Sequence, residues 1–182
     1  MIKIHDKTFV PYLSETEIQD NISRLATQIN ADYTGKNTLF LPILNGAFMF
    51  AADLLRKLTF APEIQFVKIS TYNNSMKSSQ NVKNVFGLEG LDLKGKHILI
   101  TEDIVDTGFT VDFLVDFLQK YEPASIKIVA LLYKPASFVG KTLPDYVAFE
   151  IPPAFVVGYG LDYAQKGREL KEIYVLSEVH AD

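Results

Sequence analysis

The chain has 182 residues, 48% hydrophobic and 22% charged, with a formal net charge of -4. That length suits one well-packed domain and is short for two, and the acidic balance leaves no basic stripe for a nucleic-acid backbone. With no cysteine, disulfides, thiol nucleophiles and cysteine-ligated metals are excluded. Met1 to Asp6 lacks the apolar core of a secretory signal. No apolar run is long enough to span a bilayer, so a cytoplasmic protein with no membrane partner is expected.

Residues 1–13 read as a short strand or arm, with Ile2, Ile4, Phe9, Val10 and Leu13 apolar. Ser14 followed three residues later by Glu17 is a capping box that starts a helix. Ile18, Ile22, Leu25 and Ile29 form its apolar stripe, and Gly35 lies beyond its end. Leu39 to Leu44 reads as a buried strand in which Pro42 must interrupt pairing or force a bulge. Asn45-Gly46 is a turn, and Phe48, Ala51, Leu54, Leu55 and Leu58 mark the next helix. Ile64 to Ser70 reads as a strand. From Thr71 to about Asn84 the chain turns to Asn, Ser, Lys and Gln, and a polar stretch of that length is a functional loop or disorder.

His97 to Ile100 is an apolar, β-branched run suited to a central parallel strand. It is followed by Glu102-Asp103, two apolar residues, and Asp106-Thr107-Gly108-Phe109-Thr110. Val111, Leu114, Val115 and Leu118 then stand at helical spacing, with Pro123 closing the helix. Strand, acidic strand end, small polar turn and helix is how an open α/β sheet builds a site at its carboxyl edge. Gly108 permits the tight bend, and the N–H groups of the helix start, with the Thr107 and Thr110 hydroxyls, make an anion site. No Lys follows the Gly, which excludes a Walker A loop, and the glycines of a dinucleotide fingerprint are missing. Carboxylates beside an anion site repel the anion unless a cation or ribose hydroxyls intervene, so the pairing suggests a sugar phosphate. The bare pattern also fits solvated loop acids with Thr110 as an N-cap.

Ser125 to Tyr133 is a strong buried strand with Lys134 at its carboxyl end. Tyr146 to Glu150, Phe155 to Tyr159 and Glu172 to Leu176 read as further strands, with Gly158 and Gly160 interrupting the middle one. The order of elements predicts an α/β fold with a mostly parallel central sheet flanked by helices. His5, His97 and His180 have no metal-ligand spacing, which disfavours a zinc or Ser-His-Asp hydrolase.

Ile98 to Thr110 resembles the phosphoribosyl-diphosphate motif of type I phosphoribosyltransferases: apolar strand, Glu-Asp, two apolar residues, Asp-Thr-Gly-x-Thr. Leu44-Asn45-Gly46, Ser70-Thr71-Tyr72, Leu131-Leu132-Tyr133-Lys134, Phe149-Glu150-Ile151-Pro152 and Phe155 to Tyr163 narrow the resemblance to the hypoxanthine (hypoxanthine-guanine) phosphoribosyltransferases. These motifs occur in that family's order from about Asn37 to Glu178. The resemblance implies one type I phosphoribosyltransferase domain over 1–182, with a core at about 14–150. A small hood would come from the N-terminal arm and about 151–182.

It also implies roles. Glu102 and Asp103 would serve the ribose hydroxyls and one Mg²⁺, directly or through water. Asp106 stands where the family has its general base for the purine N7 proton, and nearby N–H groups should favour its ionised form. Residues 106–110 would hold the 5′-phosphate. Leu44-Asn45-Gly46 would contact diphosphate with a strained backbone, a cis peptide among its options, and Arg168 would be a second diphosphate contact. Many relatives carry a basic residue where this chain has Asn45. Lys134 would donate to the purine 6-oxo group, Phe155 would stack on the ring, and the backbone of Val156 and Asp162 would read its remaining edge. Asp162 would also bind a second Mg²⁺. Thr71 and Tyr72 match lid residues that exclude water. The implied activity is purine salvage from phosphoribosyl diphosphate and hypoxanthine, with guanine as a further acceptor, in a homodimer or homotetramer. A catalytically inactive regulator that keeps the donor site, or a xanthine-preferring enzyme, are the alternatives.

Overall fold

The computed structural model describes residues 1–72 and 82–177, without the side chains of Thr71, Tyr72, Val82 and Lys83. Two sheets organise them. The larger has seven strands: β3 (Thr38–Leu44), β4 (Glu63–Ile64), β5 (Val67–Tyr72), β6 (Val82–Phe86), β7 (His97–Val105), β8 (Ser125–Tyr133) and β9 (Tyr146–Glu150). Their order is β6-β5-β3-β7-β8-β9, with β4 beside β3. Every pairing is parallel except the β5–β6 hairpin. The expected α/β fold is present, with β7 at its centre.

Pleat alternation divides the core into two layers. Phe40, Leu99, Val129 and Leu131 face helices α1 (Glu15–Tyr33) and α2 (Phe48–Leu55), where the expected stripe of Ile18, Ile22, Leu25 and Ile29 is fully buried. Leu39, Leu41, Ile98 and Ile100 face the other way, onto Val111, Leu114 and Leu118 of α3 (Phe109–Gln119). Each fully buried Leu or Ile contributes about 1.5–3 kcal/mol relative to exposure. The capping box of α1 forms in full: the Glu17 N–H donates to Ser14 Oγ, and the Ser14 N–H donates to Glu17.

Pro42 acts as anticipated, on one side of its strand only. Pairing with β7 runs through Pro42 and Thr101. On the opposite side the Phe40 carbonyl accepts from Gln65, so the missing N–H of Pro42, two residues on, points the same way. There the strand expected over Ile64 to Ser70 breaks at Gln65-Phe66 into β4 and β5. Helix α2 stops at Leu55, short of Leu58. Asn30 of α1 takes over the backbone there, donating to the Lys57 carbonyl and accepting from the Thr59 N–H. Helix α3 likewise ends at Gln119, ahead of Pro123, through i→i+3 turns at Tyr121 and Glu122. The polar stretch expected as loop from Thr71 to Asn84 begins and ends as strand, since β5 runs to Tyr72 and β6 starts at Val82. Residues 73–81 lie outside the described residues.

The second sheet is antiparallel, in the order β1-β2-β11-β10. It joins β1 (Ile2–Ile4) and β2 (Lys7–Leu13) to β10 (Val156–Val157) and β11 (Ile173–Leu176). The strand expected over Phe155 to Tyr159 contracts to Val156–Val157. Gly158, at φ +102°, packs against the Glu172 carbonyl, where a Cβ would not fit, and Tyr159 and Gly160 follow with positive φ. Tyr159 is pegged to the main core by its hydroxyl, which donates to Asp53 of α2, itself held by Gln19 of α1.

Candidate active site

β7 is bonded on both sides, to β3 and β8, and it extends through Glu102, Asp103 and Ile104 to Val105. The expected strand-end acids therefore lie within the last four residues of the strand itself. The pleat sends the two carboxylates to opposite faces. Glu102 lines a small pocket with Asp106, Thr107, Gly108 and Thr110. Asp103 faces the turn after β3, pressed against Gly46 so closely that any Cβ there would overlap its carboxylate.

These acids are electrostatically unusual. Glu102 is buried and its Oε2 has no hydrogen-bond partner. Burial, and then the neighbouring Asp103, push its carboxyl well above the ordinary carboxylate range. Burial also pushes Asp103 up to about 6; the Ile104 N–H and the Arg168 guanidinium pull against that, and Asp162 adds to it. A buried acceptor with nothing to accept from fits a hard cation or a sugar hydroxyl. Among the described residues, no three carboxylates or imidazoles stand together as a ready-made metal cluster.

Beyond Val105 the chain turns. Gly108 takes φ +88° as the N-cap of α3 and leaves Thr110 inside the first helical turn, so Thr110 is not the cap. A side chain at Gly108 would collide with Phe138. The following loop is fastened behind the turn: the Val139 N–H donates to the Thr107 carbonyl, and Asp112 accepts from Lys141 and Thr142. Phe109 is exposed.

On the neighbouring strand, Tyr133 pairs with Val105, so Asp106 and Lys134 leave the sheet side by side. Lys134 Nζ lies 2.8 Å from Asp106 Oδ2, the lysine side chain 10% exposed and the aspartate 44%. The partner of the candidate base is thus an ammonium group, where N–H groups of the turn were expected.

The Leu44-Asn45 peptide is cis. Gly160, at φ +101°, stacks its Cα on the Gly46 carbonyl, leaving no room for a side chain. Arg168 holds that arrangement: Nη1 donates to the Gly160 carbonyl at 2.7 Å, and Nη2 meets Asp162 Oδ1 at 2.6 Å. The contacts Asp103–Gly46–Gly160–Arg168–Asp162 bring five predicted or neighbouring site residues into one continuous group. Phe155 stands at the edge of the second sheet, 42% exposed, against Phe9 and Tyr163, while Val156 is buried. Thr71 and Tyr72 end β5, three and four residues beyond the Leu44–Lys68 pairing. No described contact joins Phe155 to Lys134 or to the acids.

Three supports were not foreseen: Gly160 behind Gly46, Phe138 behind Gly108, and Asp112 behind the 140–142 loop. The Gly158-x-Gly160 spacing signalled the first. The other two depend on tertiary approach and leave no local signal.

A mostly parallel sheet with carboxylates and a glycine turn at its carboxyl edge defines an α/β protein whose site is built at strand ends. The model of the phosphoribosyl transferase domain matches residues 12–164. Hypoxanthine phosphoribosyltransferase of Haemophilus influenzae is 42% identical over 161 residues, covering 87% of this chain and 89% of that protein. Hypoxanthine-guanine phosphoribosyltransferase of Bacillus subtilis is 42% identical over 164 residues, covering 90% and 91%. The crystal structure of a hypoxanthine phosphoribosyltransferase from Staphylococcus aureus superposes with a TM-score of 0.86 at 34% identity, over 95% of this chain and 94% of that one. The chain belongs to the phosphoribosyl transferase domain family and, within it, to the hypoxanthine phosphoribosyltransferases.

Proposed function

We propose that this chain is a purine salvage enzyme. It transfers the 5-phosphoribosyl group of phosphoribosyl diphosphate to hypoxanthine, and also to guanine, releasing diphosphate. The observation that carries this is the Asp106–Lys134 pair. A 6-oxopurine presents the N7 proton and the C6 carbonyl side by side on one edge. An adjacent carboxylate and ammonium supply one acceptor and one donor to match them. Adenine, with a 6-amino donor, would face the Lys134 donor and lose a hydrogen bond.

In the reaction, a purine ring nitrogen bonds to C1 of the ribose as the bond from C1 to the diphosphate oxygen breaks. The N7 proton passes to Asp106. Residues 106–110 hold the 5′-phosphate, Leu44, Asn45, Gly46 and Arg168 hold diphosphate, and Phe155 supports the ring with Val156 and Asp162 at its edge. Thr71 and Tyr72 would cover the site. The unpartnered Glu102 oxygen and the Asp103 carboxylate fit ribose hydroxyls and one Mg²⁺, and Asp162 fits a second. Each ion would be completed by substrate oxygens, as is usual for Mg²⁺. The ions would neutralise the leaving diphosphate.

The test is purified protein with Mg²⁺ and phosphoribosyl diphosphate, offered hypoxanthine, guanine, xanthine and adenine separately while nucleotide is followed. Turnover of hypoxanthine with adenine rejected is expected, and the guanine and xanthine rates define the acceptor range. Folded protein that binds the donor but makes no nucleotide would instead be a regulator. Exposed Phe48, Ile64 and Phe66 around α2 and β4 support self-association as a homodimer or homotetramer, which light scattering would measure.

A further inference from the structure

The turn between β1 and β2 reaches across the second sheet and encloses one side chain, Tyr163. Asp6 Oδ1 accepts its hydroxyl at 2.7 Å. The His5 ring meets it edge-on, with centroids 5.7 Å apart. The Lys7 ammonium lies over its face, 5.4 Å from the centroid. His5 Nε2 also approaches the Ala164 carbonyl, and Ile4 packs against Gly167, so the turn also follows the chain just beyond Tyr163. Tyr163 in turn meets Phe155 edge to face, at 5.7 Å and 86°. Phe9, fully buried, lies behind both rings.

Most of this effort is spent on an aromatic at the surface. Phe155 is 42% exposed, and the aromatic rings that meet its own are those of Phe9 and Tyr163. A stacking platform that rotates gives up much of its value, because ring contacts depend on geometry. Tyr163, gripped at its hydroxyl, edge and face, supplies the missing constraint.

The geometry points to Tyr163 as a positioning residue for the purine platform, held in place by Asp6 of the N-terminal turn. The inference rests on the reading of Phe155 as that platform. It makes the N-terminal turn, remote from Asp106 along the chain, a determinant of base affinity and not of the chemical step. Asp162, next to Tyr163, is fastened separately by Arg168 and the Gln165 N–H, so the donor side should not feel the change.

The experiment is steady-state kinetics of Tyr163→Ala, Tyr163→Phe, Asp6→Ala and the Asp6→Ala/Tyr163→Phe double variant beside the unaltered protein. Tyr163→Ala should raise the KM for hypoxanthine about tenfold, the scale of one lost aromatic pair. Its kcat and its KM for phosphoribosyl diphosphate should stay within about twofold. Asp6→Ala and Tyr163→Phe, which lose one hydrogen bond, should each raise the hypoxanthine KM about threefold, and the double variant should be no worse than either. If Tyr163→Ala does not fold, this cycle decides. A hypoxanthine KM unchanged in Tyr163→Ala, or unchanged in both Asp6→Ala and Tyr163→Phe, or a donor KM that rises in step with it, would overturn the proposal. Absence of transfer by the unaltered protein would overturn the underlying reading instead, and the two failures are distinguished in one assay.

Discussion

The site is made of two halves held by different forces. One is the end of β7 with the turn after it, where Glu102 and Asp103 sit on a strand bonded to β3 and β8 and the turn is wedged from behind by Phe138. The other is the segment from Gly158 to Arg168. It has two isolated bridges and positive φ at Gly158, Tyr159, Gly160, Ala164, Gln165 and Gly167. Side-chain pegs hold it: Tyr159 to Asp53, Tyr163 to Asp6, Arg168 to Gly160. A sheet spreads the cost of a substitution over many backbone bonds, whereas a pegged loop concentrates it. Substitutions in the first half should therefore change chemistry at fixed geometry. In the second they should change geometry, with little effect on the rest of the fold.

The largest effect tests the first half. Asp106→Asn keeps the shape and the strand-end position but removes the proposed acceptor for the purine proton. kcat should fall about 10²–10⁴-fold with little change in donor binding, measured by titration calorimetry with phosphoribosyl diphosphate. Equal losses in turnover and donor affinity would point to a structural role. Next is Gly160→Ala, at the seam of the two halves. The new methyl overlaps the Gly46 carbonyl at a backbone angle that L-residues avoid, a strain of about 1–3 kcal/mol. The segment should shift, and the KM for phosphoribosyl diphosphate should rise about tenfold while kcat changes less. A donor KM equal to that of the unaltered protein would show that Gly46 is positioned without Gly160.

Legibility in the sequence followed the same division. β7, β8, the α1 stripe and the acid-rich strand end could be read because local propensity and burial agree there: Ile98 to Ile100 are apolar, β-branched or both, and sit between two parallel neighbours. Pro42 announced a break through its missing N–H, although which neighbour would lose pairing depended on strand order. The capture of Lys57 and Thr59 by Asn30 could not be read, because it joins positions far apart in the chain. Roles for Lys134, Phe155, Asp162 and Arg168 came from resemblance alone. Nothing local announced that Lys134 pairs with Asp106, or that Arg168 spends both terminal nitrogens on Asp162 and Gly160. Where position is set by side-chain pegs, the pattern of apolar residues carries little of it.

Asp162→Ala sharpens the comparison from the loop side. It removes the Arg168 partner and the acceptor of the Gln165 N–H, and with them the proposed second ion contact. The Mg²⁺ concentration for half-maximal rate should rise several-fold, roughly three- to tenfold. An unchanged titration would remove Asp162 from the metal site.

The smallest effect separates function from stability in the sheet half. Burial raises the Asp103 carboxyl above the ordinary carboxylate range, to about 6. A carboxyl raised in the folded state favours the protonated form, so its penalty is absent below about pH 4, grows between about 4 and 6, and is complete above. Asp103→Asn keeps the oxygen that accepts from Ile104 and removes that charge. Without added Mg²⁺ or donor, the variant should be more stable than the unaltered protein at pH 7.5 by about 1 kcal/mol, after allowance for solvent screening. That corresponds to roughly 2–4 °C in Tm, and the gain should shrink at pH 5. The same substitution should weaken the response of Tm to Mg²⁺ with diphosphate, because a carboxylate kept charged at a cost is one that a cation can repay. A variant less stable at both pH values would mean that the Asp103 charge is already compensated by Arg168 within the fold.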